Sequence, residues 1–238
     1  MKDTLYQQIH PNLLPFEFNE EVTQVFEDMI RRSVPNYVEG LEAMVSWCKA
    51  TLSSEAVVCD LGCSTGNALL LLEERLPQLK LKLIGYDRSR PMILRANEKA
   101  QARQSSIPFY CADILETTLP MAHVFLLQYT LQFIPQEHRV PLLTEIRKKL
   151  LPSGCLMISE KISAESPRLQ EWFTHQHFQL KKCNGYSDLE ILQKKEALEN
   201  ILQPTSFEQN LAFLQQAGFS QIQPFLQWFN FASWICFP

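Results

Sequence analysis

Acidic side chains stand at the ends of apolar runs in this chain, where buried strands are predicted to end. The strand-end polar residues are Asp60, Asp87, Asp113, Gln128 and Glu160. In open parallel sheets, ligands bind outside the carboxyl ends of the strands. Asp87 is placed to accept hydrogen bonds from both hydroxyls of a ribose, and Asp113 with Ile114 can receive an adenine. Each acid alone is equally typical of a helix cap, but four acids at strand ends favour a nucleoside site.

The stretch 57–66, with the sequence VVCDLGCSTG, joins a buried strand to a helix through Gly62 and Gly66. Glycine tolerates positive φ and lets a ligand approach the backbone closely. A phosphate loop would end in Gly-Lys-Ser/Thr, and a dinucleotide fingerprint would place a further glycine near Leu69. The chain has neither. The remaining pattern, D-x-G-x-S-x-G, resembles the first motif of class I S-adenosylmethionine (SAM) enzymes, and an ordinary strand-to-helix turn is the alternative interpretation.

These residues need a sheet to hold them, and the chain alternates strand-like runs with helical periodicity. Strands are predicted over residues 56–60, 81–87, 108–113, 123–128 and 155–160, with helices at about 67–76, 91–103 and 136–150. Strand alternating with helix predicts an α/β fold with a parallel, doubly wound sheet.

The flanks of this core complete a single predicted domain over residues 1–238. Residues 1–50 hold an irregular arm, with Pro11 and Pro15, and two amphipathic helices, the first capped by Asn19. Residues 51–163 are the Rossmann-like core and 164–203 a polar helical insert. Residues 204–238 add a last helix, closed by Gly218, and two antiparallel strands, 220–226 and 228–237, at the sheet edge. The expectation is a mostly parallel sheet of seven strands.

Composition and charge limit the classes of function. The chain has 238 residues, 46% hydrophobic and 20% charged, which is typical of a soluble globular protein. A net charge of −4 argues against direct nucleic-acid binding. Seven scattered cysteines without a C-x-x-C pair indicate free thiols in a reducing compartment. No apolar signal region and no uncharged run of roughly 18 residues is present, so no membrane association and a cytoplasmic location are expected.

Other polar groups have a structural and a functional interpretation. The Arg-Ser-Arg run at 88–90 can form a 2′-phosphate pocket, but the retained acid and the missing glycines favour loop arginines. His175 and His177 point to different sides of a helix without further ligands at metal spacing, so no metal site is predicted. The lysine pairs 181–182 and 194–195 are predicted to be exposed charges on helices. The aromatic residues of 228–234 are predicted to lie in the core.

Five stretches add to the glycine motif: RRSVPNY at 31–37, DLGCS at 60–64, TLQF at 130–133, SEK at 159–161 and NGYSDLEILQKK at 184–195. With them, the chain resembles the carboxy-S-adenosylmethionine synthase family over nearly its whole length. The resemblance implies a Rossmann-like class I SAM-methyltransferase fold and a homodimer. It also implies that prephenate donates a carboxyl group to the sulfonium methyl of SAM and leaves as phenylpyruvate. The product, carboxy-SAM, then serves tRNA wobble-uridine modification through a separate enzyme.

The resemblance assigns residues as well. Those that would line the SAM pocket are Tyr37, Gly62, Cys63, Ser64, Asp87, Arg88, Asp113, Ile114 and Gln128. Lys195 would meet the transferred carboxylate, at a position where the family has arginine. A lysine offers a point charge instead of a bidentate fork, and Lys194 is predicted to point about 100° away on the helix. Gln128 and Arg88 stand where the family has asparagine.

The strand-end acids are also compatible with two other functions. A SAM-dependent methyltransferase acting on a small acid or on tRNA would use the same scaffold, and a SAM-binding regulatory protein would bind the ligand without turnover. The insert and the residue at position 195 separate these alternatives from carboxyl transfer.

Overall fold

The computed structural model of the protein describes residues 1–9 and 13–238, so Pro11 of the predicted arm lies outside the described residues. The helices are α1 (Glu20–Ser33), α2 (Tyr37–Thr51), α3 (Asn67–Arg75), α4 (Arg90–Ala102), α5 (Gln136–Lys149), α6 (Pro167–Cys183), α7 (Asp188–Ala197) and α8 (Phe207–Gln216). The strands are β1 (Val57–Leu61), β2 (Lys82–Asp87), β3 (Phe109–Cys111), β4 (Ala122–Gln128), β5 (Leu150–Lys161), β6 (Gln221–Trp228) and β7 (Phe231–Phe237).

The seven strands form one sheet in the order β3-β2-β1-β4-β5-β7-β6. β1 to β5 are parallel, whereas β7 runs antiparallel to β5 and β6 antiparallel to β7. The predicted mostly parallel α/β sheet is therefore confirmed. The strand order reverses between β1 and β4, and this switch point is where open α/β sheets bind ligands.

Both faces of the sheet are buried, which explains the continuous apolar runs of its central strands. Val58 of β1 packs with α2, α3 and α4 on one face, while Cys59 and Leu61 pack with α5 and α8 on the other. Consecutive strand residues point to opposite faces, so a strand buried on both sides must be apolar throughout. The central strands are thereby held rigidly with their carboxyl ends at one edge.

Two boundaries differ from the sequence prediction. β5 begins at Leu150 instead of residue 155, because the Pro-Ser-Gly stretch at 152–154 forms an irregularity within the strand, with Ser153 at φ 63° and a register shift opposite β4. The last two strands are joined at residues 229–230 and not at Gln227, since Trp228 pairs with Phe231. This two-residue loop places Phe229 at φ 42°.

The insert forms two capped helices that lie against the arm. Ser166 caps α6, and Ser187 with Glu190 forms a capping box at the start of α7. The backbone N–H of Phe16 donates to the carbonyl of Ala197 at 2.8 Å, and the Gln193 side chain donates to two carbonyls of the arm. The insert and the arm therefore fold together as one cover over the edge of the core.

All seven cysteines are free, as predicted, and five of them are buried. None of the helices in the described part of the chain has the length and apolarity needed to cross a bilayer.

Candidate active site

A cavity lies at the carboxyl ends of the parallel strands, beside the switch point. Its walls come from the turn after β1, the loops after β2, β3 and β4, the end of β5, α1, the insert and the arm. The sequence-predicted residues on these walls are Gly62, Ser64, Asp87, Arg88, Asp113, Ile114 and Gln128. The cavity therefore gathers most of the predicted SAM residues at one place.

The turn after β1 brings its backbone close to the cavity because Gly62 lacks a side chain. Gly62 has φ +85°, and a Cβ there would collide with Oγ1 of Thr130 and lie 2.6 Å from its Cγ2. The N–H groups of Gly62 and Cys63 both donate to the carbonyl of Tyr86, at 2.8 and 2.9 Å. These two N–H groups are thus already bonded within the protein. What the turn offers a ligand is close approach to a backbone without a side chain, and not free hydrogen-bond donors.

Asp87 closes β2 with both carboxylate oxygens held. Oδ2 accepts from the N–H of Ser64 at 2.9 Å and Oδ1 from the N–H of Ser89 at 2.8 Å. Burial raises the pKa of Asp87, and these two backbone hydrogen bonds oppose that shift. Each oxygen keeps a further acceptor position. A fixed carboxylate with two remaining acceptor positions suits the two adjacent hydroxyls of a ribose.

The loop after β3 supplies one polar and one apolar residue that suit a nucleobase. Asp113 accepts from the N–H of Leu115 at 2.9 Å and lines the cavity, and the neighbouring Ile114 is buried. Phe133 and Ile134, from the loop after β4, line the same cavity. This combination of a carboxylate beside apolar side chains matches an adenine, whose amine donates and whose ring faces are apolar.

Gln128 ends β4 within a chain of polar side chains. Its Oε1 accepts from the hydroxyl of Ser159 at 2.9 Å, and Ser159 lies 2.8 Å from the hydroxyl of Ser233. This chain crosses from β4 through β5 to β7 beneath the cavity. It fixes the orientation of Gln128, so a glutamine in place of asparagine is held in a defined position.

The arm covers the cavity with aromatic rings. Phe18 packs edge-on against Phe16, Phe26 and Phe133, at centroid distances of 5.1 to 6.3 Å. The carbonyl of Phe18 accepts from the hydroxyl of Ser89 at 2.6 Å, which ties the arm to the loop after Asp87. The arm thus reduces the access of water to the predicted nucleoside end.

Lysines occupy the wall formed by β5 and the insert. Lys161, Lys181 and Lys194 line the cavity together with His177. Burial, the largest cause, lowers the pKa of each lysine, and that of Lys194 reaches about 8. The predicted exposure of the lysine pairs is therefore wrong for Lys181 and Lys194, and holds for Lys182 and Lys195. The cavity has an acidic end and a cationic end.

SAM fits these features of the chain. Beneath the glycine turn, Asp60 is 2% exposed and has an oxygen without a hydrogen-bond partner. Burial and the charge of Asp87 raise the pKa of Asp60 to about 8. A positively charged ligand above the turn would favour its ionised form. Among the described residues, no group of three His, Cys, Asp or Glu side chains could hold a metal ion.

Comparisons with known proteins agree with this geometry. A family model described as a methyltransferase domain matches residues 58–154. A protein of Histophilus somni (strain 2336) named carboxy-S-adenosyl-L-methionine synthase is 39% identical over 236 residues, which cover 98% of each chain. A protein of the same name from a Nitratiruptor species is 41% identical over 220 residues and 92% of each chain. The chain belongs to the carboxy-S-adenosyl-L-methionine synthase family.

The fold of this family member is shared with methyltransferases. An O-methyltransferase family protein from Burkholderia thailandensis superposes with a TM-score of 0.63 over 92% of this chain and 60% of its own, at 18% identity. The predicted methyltransferase-type α/β fold is thereby confirmed. The family membership rests on the sequence comparison, since the solved structure is too distant to show more than the fold.

Three residues that the resemblance assigns to the SAM pocket of a carboxy-SAM synthase do not lie on the cavity wall. Cys63 is buried beneath the turn, and the hydroxyl of Tyr37 lies 3.5 Å from the side-chain nitrogen of Asn67. Lys195 is exposed on α7, and Lys194 holds the cavity position. The buried face of α7 includes Ile191, Lys194 and Ala197, and this places Lys194 on the cavity wall and Lys195 outside it.

The sequence prediction missed the lysine wall and the role of Glu160. His177 and Lys181 are four residues apart on α6, and this i,i+4 spacing could have placed them on one face. Glu160 is a strand-end acid outside the cavity lining, and its oxygens accept from the N–H groups of Leu131 and Gln132 at 2.9 and 2.7 Å. It holds the turn after β4, so its position at a strand end has a structural purpose.

Proposed function

We propose that the protein transfers a carboxyl group to the methyl carbon of SAM, which would form the carboxy-S-adenosyl-L-methionine that the names of its relatives give as their product. The observation that supports this most directly is the division of the cavity, with Asp87 and Asp113 at one end and buried lysines at the other. Methyl transfer adds no negative charge to the bound nucleoside. Carboxyl transfer adds one, and a cationic wall stabilises it.

Prephenate is the proposed donor, with phenylpyruvate as its product. The bond between the ring and its carboxyl group breaks, and the electron pair enters the ring as the ring hydroxyl leaves as hydroxide. The ring becomes aromatic and carbon dioxide is released. The methyl group of SAM, made acidic by the sulfonium, gives its proton to the hydroxide to form water, and the resulting carbanion takes up the carbon dioxide. No oxidant or reductant is required.

We propose defined roles for the residues on the wall. Asp87 binds the ribose hydroxyls, and Asp113 with Ile114 binds the adenine. The turn at 62–64 and Gln128 face the methionyl part, with Arg88 beside the ribose and Tyr37 and Cys63 supporting the turn from behind. Lys194 meets the transferred carboxylate directly. Lys195 acts on it as a positive charge from outside the wall, supported by its effect in lowering the pKa of Lys161.

Intact-ligand mass spectrometry tests this function. The purified protein is incubated with SAM and prephenate, and the expected product is heavier than SAM by the mass of one carbon dioxide molecule. A control with phenylpyruvate in place of prephenate should give no such product. S-adenosylhomocysteine formed with a small acid or tRNA as acceptor would instead identify a methyltransferase, which the matched domain over 58–154 also fits. SAM recovered unchanged would identify a binding protein.

We further propose a cellular setting for this activity. The protein works as a homodimer in the cytoplasm, and its product is consumed by a separate enzyme that modifies the tRNA wobble uridine. The acidic net charge supports the absence of direct tRNA binding. Analytical ultracentrifugation tests the dimer, and a tRNA gel-shift assay tests the absence of binding.

A further inference from the structure

Three lysine side chains from three elements meet at one end of the cavity. Lys161 ends β5, Lys181 lies in the last turn of α6, and Lys194 lies on α7. All three line the cavity, and Lys181 and Lys194 are only 8% and 5% exposed. Burying an ammonium group costs free energy unless an anion or several acceptors compensate for the lost water. The three lysines can stay protonated together only if a ligand compensates for this cost, and without one their lowered pKa values favour the loss of protons.

The protein supplies too few acids to balance the cluster. A carboxylate oxygen of Asp3 lies 3.6 Å from Nζ of Lys194, which also donates to the hydroxyl of Ser33 at 3.2 Å. Within residues 1–9 and 13–238, Nζ of Lys161 and of Lys181 makes no hydrogen bond and no ion pair, and Asp3 is the one acid whose charge acts on Lys181. When all three lysines are protonated, two positive charges remain after Asp3 is counted against Lys194.

His177 stands beside these lysines as an uncharged group. Its Nε2 lies 2.7 Å from the carbonyl of Ser33 and must donate, because a carbonyl only accepts. Burial, followed by the charges of Lys181, Lys161 and Lys194, lowers the pKa of His177 well below its ordinary value. The neutral ring leaves Nδ1 as an acceptor and adds nothing to the positive charge. The excess charge is therefore that of the lysines alone.

SAM does not account for this excess. Its own carboxylate and ammonium groups balance each other, and its sulfonium adds a positive charge that would repel the lysines. Asp87 and Asp113 are at the opposite end of the cavity and hold backbone partners of their own. The lysine wall thus provides more positive charge than the nucleoside substrate requires.

We propose that Lys161, Lys181 and Lys194 form the subsite of the second substrate and select a small dicarboxylate over a monocarboxylate. This inference rests on the proposed function, in which a dicarboxylic donor gives up one carboxyl group. The two carboxylates match the two remaining positive charges. After the transfer, the departing acid carries only one carboxylate, and the subsite holds it less tightly. The loss of one charge thereby favours product release.

Two adjacent lysines of α6 provide a matched test. Lys181→Met should raise the KM for prephenate at least about tenfold, while the Kd for SAM stays within about twofold and phenylpyruvate inhibition changes little. Because a buried amine that makes no hydrogen bond or ion pair is removed, the Tm of the ligand-free variant should rise. Lys182→Met, on an exposed lysine 2.8 Å from Asp188, should leave KM and Kd unchanged. Lys161→Met serves as a second variant with the same expected KM effect.

Each other result has a defined meaning. An unchanged KM in both Lys181→Met and Lys161→Met, with product still formed, overturns the inference and leaves the proposed function intact. A loss of SAM affinity of tenfold or more assigns the lysines to SAM and also overturns it. If wild type forms no carboxylated product, the proposed function fails, and calorimetry of prephenate binding to the SAM-loaded protein decides the subsite. Binding that Lys181→Met weakens supports it, and no binding overturns it.

Discussion

Nζ of Lys194 on α7 lies 3.6 Å from a carboxylate oxygen of Asp3 in the arm, and both side chains are almost fully buried. The same carboxylate oxygen accepts from the hydroxyl of Tyr186 at 2.5 Å. The pair therefore joins the first residues of the chain to the insert at the edge of the cavity, and it balances one charge of the lysine wall.

Removing the charge of Asp3 should destabilise the protein through Lys194. Asp3→Asn leaves the ammonium buried without its counterion, so the free energy of unfolding should fall by about 1–3 kcal/mol. The loss of stability is limited because burial already lowers the pKa of Lys194 to about 8. In the variant, Lys194 can release its proton and so avoid being a buried charge without a counterion. The double variant with Lys194→Met should recover most of the loss in urea unfolding. Additive losses in the double variant would contradict the pairing.

Gly62 should not tolerate a side chain. Gly62→Ala forces a Cβ against Thr130 at a backbone φ of +85°, so we expect about 1–3 kcal/mol of lost stability and weaker SAM binding. Gly40→Ala is the control, since Gly40 lies within α2 and a Cβ there would lie at an ordinary contact distance of 3.6 Å from Leu226 of β6. That variant should gain about 0.5–1 kcal/mol. Calorimetric Tm and SAM titration measure both effects, and equal behaviour of the two variants would contradict this account of the turn.

Glu160 should make stability fall as the pH rises. Burial raises its pKa to about 8, although two backbone amides and the charge of Arg139 favour the anion. Between the unfolded value, about 4.3, and 8, the folded state holds a proton that the unfolded state has released. This stabilising contribution is present at low pH and is lost at up to about 1.4 kcal/mol per pH unit as the pH rises toward 8.

The difference between wild type and Glu160→Gln isolates this effect from other titrating groups. Urea unfolding at pH 5, 6, 7 and 8 should show a steeper decline for wild type than for the variant. Glu116→Gln, on an exposed carboxyl group, controls for the change in net charge and should follow the wild-type slope. Parallel slopes for wild type and Glu160→Gln would show that the buried carboxyl keeps an ordinary pKa.

The two insert lysines should respond differently to salt. Lys194→Met should weaken the preference for carboxy-SAM over SAM by about tenfold or more at any ionic strength, because the residue is buried. Lys195→Ala should reduce the preference by severalfold at low salt only, since an exposed charge is screened, and Lys195→Arg should keep it. Competitive ligand binding at about 20 mM and 500 mM salt measures both. A salt-independent loss in Lys195→Ala would show that Lys195 touches the carboxylate directly.

The core of the fold could be predicted because its signals are local. Buried parallel strands produce continuous apolar runs, and the loops between them end in side chains such as Asp87 and Asp113 that share one edge by topology. Asn19 as the cap of α1 and Gly218 with φ +92° after α8 follow from the preferences of single residues. Each of these signals needs no knowledge of distant contacts.

The cationic wall could not be predicted in the same way. Lys181 and Lys194 are buried only because α6 and α7 fold against α1 and the arm, which are more than 140 residues away in the sequence. Two adjacent lysines on a helix point about 100° apart, and the packing of the helix against other elements determines which of them is buried. The choice between Lys194 and Lys195 therefore depended on tertiary contacts that the helix pattern does not contain.

The contact between Asp3 and Tyr186 also sets an order for the making of the protein. Its two residues are 183 positions apart in the sequence, so the ribosome must release the insert before the arm can take its final place. Until then, Asp3 cannot form its contact with Tyr186. The cavity acquires its cover late in synthesis, after the central parallel strands are already available to pair.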